Sequence, residues 1–246
     1  DFLANQRWFG AKDGAPRAVR GAEHAVMGEG SRSWLLATYD VDTGAGETQT
    51  YFLPTAVTWE TGGEDPMYEL LQFALARART GPRVGVVHDA VIDPDFVRAL
   101  VDGLKRGHGL ATMSGGEVIF SPTEAGARTI ELEAGTSVMR LGKEQSNTSM
   151  RVGEDMILKV YRRLEPGVHP EPEIGRHLTD VAGFEHMPPL LGDVRLIDAE
   201  GHETALAVLQ SFVRNQGDGW GYTLDYLERW LDDVELAPPA ANADPQ

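Results

Sequence analysis

Residues 156–161 read Met-Ile-Leu-Lys-Val-Tyr, an apolar strand that carries one lysine in its interior. A charged ammonium in such a strand is costly unless it meets a partner. Because neighbouring side chains of a strand alternate between its two faces, Lys159 shares a face with Ile157 and Tyr161 and opposes Leu158. The lysine therefore marks either a functional face of a sheet or an edge strand that is open to solvent.

A polar turn lies a short hairpin upstream of this lysine. Residues 141–149 read Leu-Gly-Lys-Glu-Gln-Ser-Asn-Thr-Ser, between predicted strands at 137–141 and 148–152. Small hydroxyl and amide side chains in a tight turn leave backbone N–H groups free to face an anion. Protein kinases cover the phosphates of ATP with such a turn. An ordinary hairpin rich in asparagine and serine would have the same composition.

A predicted helix follows at about residues 171–179. Pro172 fits its first turn, and Glu173 then sits where the helix dipole favours a negative charge. Glu173 is also placed to reach Lys159, which is the pairing that kinases make between the third strand and the next helix. Charge complementarity at a helix N-terminus would account for Glu173 equally well.

The order of elements in this half of the chain is strand, turn, strand, strand, helix, strand, strand, which is the order of a kinase N-lobe. The last two strands are predicted at 194–198 and 205–212. The segment 210–213 ends the last strand and is predicted as the hinge that meets the edge of adenine, through Gln210, Phe212 and Val213; a plain core strand is the alternative. A helix at 223–236 and a proline-rich tail at 237–246 follow.

The first half reads as a curled antiparallel sheet with helices packed on it. Strands are predicted at 19–27, 33–41 and 48–56, with a glycine-bearing hairpin loop at 42–46. Asp65-Pro66 and Asp93-Pro94 are start signals for helices that end near residues 80 and 105. A glycine-rich loop at 107–116 and short strands at 117–120 and 129–133 complete this half, in which we find no catalytic constellation.

The composition excludes several classes of function. The 246 residues contain 22 Lys and Arg against 38 Asp and Glu, and the net charge of -16 argues against nucleic acid and anionic membranes as partners. An ATP site would need a local island of positive charge. The absence of cysteine excludes disulfides and thiolate metal sites. We find neither a signal peptide nor an apolar run that could span a bilayer, so a cytoplasmic location is expected.

Several of these segments together resemble the maltokinase family. The resemblance is carried by residues 144–149 with 157–163, by Gln-Arg-Trp-Phe-Gly at 6–10, and by the stretch 210–220. It implies an α+β fold, with a curled-sheet cap domain followed by a protein-kinase-like N-lobe of the type found in aminoglycoside phosphotransferases. The expected segments are a cap at 1–134, a nucleotide-binding N-lobe at 135–213, and a linker, helix and tail at 214–246.

The resemblance also implies a site and a reaction. Family members transfer the γ-phosphate of ATP to the anomeric hydroxyl of maltose, with Mg²⁺, in the route from trehalose to glycogen, and an association with trehalose synthase is a further expectation. The turn residues are Ser146, Asn147, Thr148 and Ser149. Lys159 holds phosphate, Glu173 is its partner, and the hinge is formed by Gln210 to Val213.

One part of the family pattern is missing from the sequence. A kinase of this type needs an aspartate in a His-Gly-Asp-like loop and further side chains that bind Mg²⁺, and none of the histidines here is followed by such a loop. We therefore assign no catalytic residue and no metal ligand, and we expect the chain to be inactive alone. A related aminosugar kinase and a non-catalytic interaction protein built from a cap and a pseudokinase lobe stay open as alternatives.

Overall fold

The computed structural model describes residues 2–10, 16–30, 32–44, 48–61, 67–142, 146–217 and 219–236. The fold is α+β, as predicted, with two antiparallel sheets and short helices. Residues 1–212 form one compact body, and residues 213–246 form a second unit. The predicted turn residues 143–145, the start signal Asp65-Pro66 and the tail 237–246 lie outside the described residues.

The first sheet is built mainly from the N-terminal half of the chain. Its strands in chain order are β1 (Ala18–Glu29), β2 (Arg32–Asp42), β3 (Thr48–Phe52), β4 (Thr55–Trp59), β5 (Ala74–Thr80) and β6 (Arg83–Asp89). Strand β2 pairs with β1 along its length, and its other edge is shared by β3 and β4. The predicted strand at 48–56 is thus two strands, separated at Leu53 and Pro54, because proline cannot donate a ladder hydrogen bond.

The helix that we predict from the start signal at Asp65-Pro66 to about residue 80 is wrong. The chain forms only a single turn of helix, α1 (Met67–Leu70), and a 3₁₀ turn at Leu71–Phe73 before β5 begins. Strand β5 pairs with β6, a strand that the sequence analysis missed. The sheet edge of β6 offers hydrogen bonds to residues 74–80, and this pairing overrides the helical spacing of Leu70, Leu71 and Ala74.

Helix α2 (Pro94–Arg106) is close to its predicted bounds. The Asp93 side chain caps it by accepting from the Asp95 N–H, and Gly107 ends it with a positive φ of 60°. Its apolar face is buried in the main core, through Phe96, Val97, Leu100, Val101 and Leu104. A smaller core holds Leu3, Trp8 and Phe9 of the N-terminal segment against Val41, Tyr51 and Leu53.

The elements that follow α2 within residues 1–212 form the second sheet and the helices beside it, except for one short strand at 163–164 that pairs in the first sheet. In chain order they are β7 (Gly109–Ala111), β8 (Glu117–Pro122), α3 (Glu124–Thr129), β9 (Val138–Leu141), β10 (Asn147–Val152), β11 (Met156–Tyr161), β12 (Arg163–Leu164), α4 (Pro170–Arg176), β13 (Leu190–Ile197) and β14 (Glu203–Ser211). A π-helical stretch at His177–Val181 extends α4. The predicted strand at 129–133 is wrong. Helix α3, which Thr123 caps by accepting from the Gly126 N–H, runs to Thr129, and residues 130–133 form neither helix nor strand.

The two sheets exchange strands. The second sheet has the order β7-β8-β13-β14-β11-β10-β9, and the first has the order β12-β3-β2-β4-β6-β5. Strands β7 and β8, which belong to the predicted cap, therefore pair in the second sheet, whereas β12 of the predicted N-lobe pairs with β3 in the first. The boundary at residue 134 stays a prediction. Strands from each side of this boundary are hydrogen-bonded to strands from the other side.

The second unit contains α5 (Gly219–Leu236). Its apolar residues Leu224, Leu227, Leu231 and Val234 recur at helical spacing, as the sequence predicts, and all four are exposed. No helix of the described residues is both long and apolar enough to cross a bilayer.

Candidate functional site

Strand β11 separates a buried face from a polar one. Leu158 and Val160 are completely buried in the main core. Lys159 and Tyr161 point to the opposite face, as strand alternation requires. In the ladder, Lys159 lies between Ser149 of β10 and Val208 of β14, so it occupies the middle of the sheet. This placement excludes the edge-strand alternative for Lys159.

The partner of Lys159 is a glutamate at the start of α4. Lys159 Nζ donates to Glu171 Oε1 over 2.8 Å. The second carboxylate oxygen, Oε2, accepts from the Tyr161 hydroxyl over 2.7 Å. Our prediction that Glu173 fills this role is wrong, since its side chain is exposed. The two glutamates differ by two positions, or about 200° around a helix, so only one of them can face β11.

The start of α4 explains this shift. His169 is the N-cap, its Nδ1 accepts from the Glu171 N–H over 3.2 Å, and Pro170 occupies the first helical position. The His169 ring also stacks on Tyr161, with centroids 4.4 Å apart. The sequence contains two prolines that suit a first turn, and choosing Pro170 rather than Pro172 would have placed Glu171 toward the strand.

The contacts of Glu171 set its protonation. Burial alone would raise its pKa, but hydrogen bonds from Lys159 and Tyr161 and the nearby positive charge lower the pKa below its ordinary value. Burial raises the pKa of the Tyr161 hydroxyl, and its hydrogen bond to Glu171 raises it further. Glu171 is therefore a carboxylate and Tyr161 a neutral phenol at physiological pH.

An arginine near the end of α4 fixes the helix to the sheet. Arg176 Nη2 donates to Oδ1 of Asp193, a buried residue of β13, over 2.5 Å. The same guanidinium donates to the carbonyls of Ser121 and Pro122 in β8, over 2.9 and 3.1 Å. The position of Glu171 is therefore held from both ends of α4.

The predicted turn residues are placed at different depths. Ser146 is exposed and Asn147 is half-buried, whereas Thr148 and Ser149 are buried. Thr148 Oγ1 accepts from Arg162 Nε over 2.8 Å. Ser149 is directly opposite Lys159 in the ladder. Whether these residues contact a phosphate stays a prediction; the structure brings Ser149 and Lys159 together on one face.

The predicted hinge lies at the end of β14, the strand that neighbours β11 in the second sheet. Gln210 pairs with Ile157, and the Phe212 N–H donates to the Asp155 carbonyl over 2.7 Å. The Phe212 ring lies 4.8 Å from the guanidinium carbon of Arg151. Val213 belongs to the second unit. The roles of Gln210, Phe212 and Val213 toward adenine stay predictions.

Arg162 joins the two sheets, and the sequence analysis did not assign it this role. It is 1% exposed, and its guanidinium binds both oxygens of Asp89 at the end of β6, over 2.6 and 3.2 Å. It lies 5.2 Å from the centroid of the Trp8 ring. Its backbone N–H donates to the Ser146 carbonyl, and its own carbonyl accepts from Phe52 in β3. The only sequence signal was an arginine directly after a buried strand.

The first sheet and the Trp8 segment packed on it lie within a stretch that resembles a known family. Residues 2–93 match the family model of the maltokinase N-terminal cap domain. These residues form a maltokinase-type cap. The match ends where α2 begins, so this cap comprises strands β1 to β6, and its Asp89 is the partner of Arg162.

Solved structures resemble the chain beyond the maltokinase-type cap. One is a glucosamine kinase in complex with glucosamine, ADP and inorganic phosphate, at 18% identity and a TM-score of 0.52, which covers 96% of this chain and 46% of that chain. Another crystal form of a glucosamine kinase has 18% identity and a TM-score of 0.51, with coverage of 91% and 41%. The chain thus spans less than half the length of these kinases, and the likeness shows a kinase-like fold.

Proposed function

We propose that the chain is the cap and nucleotide-binding lobe of a sugar kinase that transfers the γ-phosphate of ATP to the anomeric hydroxyl of maltose. The observation that carries the proposal is the ion pair of Lys159 and Glu171 in a sheet of kinase-like order. The maltokinase-type cap supports maltose as the acceptor. A cytoplasmic location, the trehalose-to-glycogen route and an association with trehalose synthase belong to the same proposal.

The residues of the second sheet fit a nucleotide in part. An ammonium has three N–H donors, and Glu171 takes one of those of Lys159, whose side chain is 25% exposed, so donors remain for phosphate oxygens. The backbone of the turn at Ser146 and Asn147 would hold further phosphate oxygens. Gln210, Phe212 and Val213 would meet the adenine. Glu171 acts in this proposal by positioning Lys159.

The described residues do not fit Mg²⁺ at this site. Among them, one group has the spacing of a metal site, Asp198, Glu200 and His202, and it lies in the turn between β13 and β14 without any residue of the predicted site. Mg²⁺ is expected to bridge the phosphates of ATP when a kinase is loaded. Its protein ligands, and the catalytic aspartate, would have to come from outside the part of the chain that the structure describes.

The nucleotide site can be tested by calorimetric titration of the whole chain with ATP and Mg²⁺. We expect weak binding, in the millimolar range, because half of the cleft is provided here and the net charge of -16 repels ATP. Lys159→Ala should weaken it about tenfold, and Glu173→Gln should leave it unchanged. Tight binding that Lys159→Ala does not alter would place the nucleotide elsewhere.

A second candidate is an aminosugar kinase, which the likeness to glucosamine kinases favours. A third is a non-catalytic interaction protein, which absence of nucleotide binding would favour. A reading frame that continues beyond Gln246 into a His-Gly-Asp-like loop would exclude the third. ADP release by that longer protein with maltose and with glucosamine as acceptors then separates the first two.

A further inference from the structure

A cleft of about 710 Å³ opens beside the β9–β10 hairpin. One wall is the N-terminal segment from Phe2 to Trp8, a second is formed by residues 71–74, and the third is the hairpin itself, through Arg140, Gly142 and Thr148. This volume is within the range of small-molecule sites. Lys159 and Glu171 are not among the residues that line it.

Thr148, which lines the cleft, and Lys159 are on opposite faces of the second sheet. Ser149 and Lys159 are directly opposite in the ladder and therefore share a face, so Thr148 points to the other one. The Thr148 hydroxyl accepts from Arg162, which binds Asp89 of the cap. The face of Thr148 is thus the cap-facing one, and a ligand of the cleft that contacts Thr148 would do so from the side opposite Lys159.

The charge of the cleft is opposite to that of the chain. Arg7 and Arg140 line it, and none of the described lining residues is an aspartate or a glutamate, although the chain carries a net charge of -16. Neither guanidinium has a carboxylate partner among the described residues. The guanidinium carbon of Arg140 lies over the Phe73 ring, 5.6 Å from its centroid. Guanidinium groups are suited to a phosphate, which accepts bidentate hydrogen bonds from them.

The other walls suit a hydroxylated ring. Gln6 and Gln72 also line the cleft, and amides both donate to and accept from hydroxyl groups. The partly buried Phe2 and Phe73 rings offer apolar surface. We propose that this cleft binds a phosphorylated sugar, with Arg7 and Arg140 on the phosphate and the amides on the sugar hydroxyls.

The test is calorimetric titration of the whole chain with glucose 1-phosphate, inorganic phosphate and ATP without Mg²⁺, each as a separate ligand. The double variant Arg7→Gln with Arg140→Gln removes both guanidinium groups. Arg20→Gln is the matched control, since Arg20 is an exposed arginine of β1 that does not line the cleft. Lys159→Ala tests the other face of the sheet. Near-ultraviolet circular dichroism confirms that each variant is folded.

We expect glucose 1-phosphate to bind and to lose affinity at least tenfold in the double variant, the loss typical of a charge-assisted contact. Arg20→Gln and Lys159→Ala should bind it as the wild type does. In amide and indole NMR spectra the ligand should shift the Trp8 indole and Gly142 signals. The proposal is overturned if glucose 1-phosphate does not bind at concentrations of about 10 mM, the range of weak sites. It is also overturned if Lys159→Ala abolishes the binding of glucose 1-phosphate.

Two further outcomes are decisive. If ATP or inorganic phosphate binds at the arginines and glucose 1-phosphate does not, the assignment to a phosphorylated sugar is wrong. The double variant could lower the affinity for glucose 1-phosphate while Lys159→Ala leaves the affinity for ATP with Mg²⁺ unchanged. That result would support the sugar-phosphate cleft and contradict the proposed nucleotide site. The two proposals can therefore fail separately.

Discussion

The ammonium of Lys159 and the carboxylate of Glu171 are 2.8 Å apart, and the same carboxylate accepts a hydrogen bond from the Tyr161 hydroxyl. Two side chains of one strand thus converge on one residue in the first turn of the next helix. Because both oxygens of the carboxylate are used, Glu171 has a defined orientation. This relationship distinguishes Glu171 from its neighbour Glu173 and leads to the first two predictions.

Glu171→Gln should destabilise the chain by about 1–2 kcal/mol, since it removes a hydrogen-bonded carboxylate and leaves a partly buried ammonium with a weaker partner. Glu173→Gln is the matched control on the same helix and should change the free energy of unfolding by less than about 0.5 kcal/mol. Urea denaturation of the three proteins measures both values. Equal effects of the two substitutions would contradict the assignment of Glu171.

The stabilising effect of Glu171 should depend on pH in a defined direction. Its folded-state pKa lies below the ordinary value of 4.5, so the unfolded chain takes up the proton first as pH falls. The stability advantage of the wild type over Glu171→Gln is therefore complete above about pH 4.5 and is lost as pH falls through the lowered pKa. Tyr161→Phe removes one donor that lowers this pKa, so the pH-dependent loss should be smaller and should be complete at a higher pH. Urea denaturation at pH values from about 3 to about 7, in steps of about half a pH unit, tests this.

Asp89→Asn should be more damaging than a typical surface change. Arg162 is buried and would lose its carboxylate partner, at a cost of about 3 kcal/mol in the free energy of unfolding. Asp102→Asn is the control, because it breaks the exposed pair with Arg106 and should cost less than about 1 kcal/mol. Chemical denaturation compares the two. A small effect at Asp89 would show that Arg162 finds solvent or another acceptor.

No phosphorylation of maltose is expected from this chain with ATP and Mg²⁺. Phosphoryl transfer depends on metal ions and positioned carboxylates, and the sequence lacks a His-Gly-Asp-like loop. A coupled assay of ADP release is sensitive enough to decide. Turnover that disappears in Lys159→Ala would reveal a catalytic group that the sequence analysis did not find.

The sequence predicted the second sheet better than the first. The strand of Lys159 has its predicted bounds, 156–161, because apolar alternation and the polar turn before it agree. The helix after it was predicted, but its facing residue was missed by two positions, since two prolines offered two equally plausible first turns. Pattern alone could not choose between them; the stacking of His169 on Tyr161 did.

The errors in the first half have a different physical cause. Residues 70–75 have helical spacing, yet Ala74–Thr80 became a strand because β6 supplied an edge for it. Such pairing depends on residues that are distant in sequence. The same holds for Arg162, whose partners Asp89 and Thr148 come from two other strands. Non-local hydrogen bonds of this kind cannot be read from local periodicity.

The exchange of strands between the two sheets limits how this architecture can be divided. A gene fusion that transplants the cap alone would lack β12, the neighbour of β3, and would separate Asp89 from its arginine. A fragment that begins after residue 134 would lose β7 and β8 and expose the edge of β13. Recombination at either junction therefore breaks a ladder. The cap therefore cannot be transferred without the lobe. Because the two share paired strands, we expect them to be inherited together.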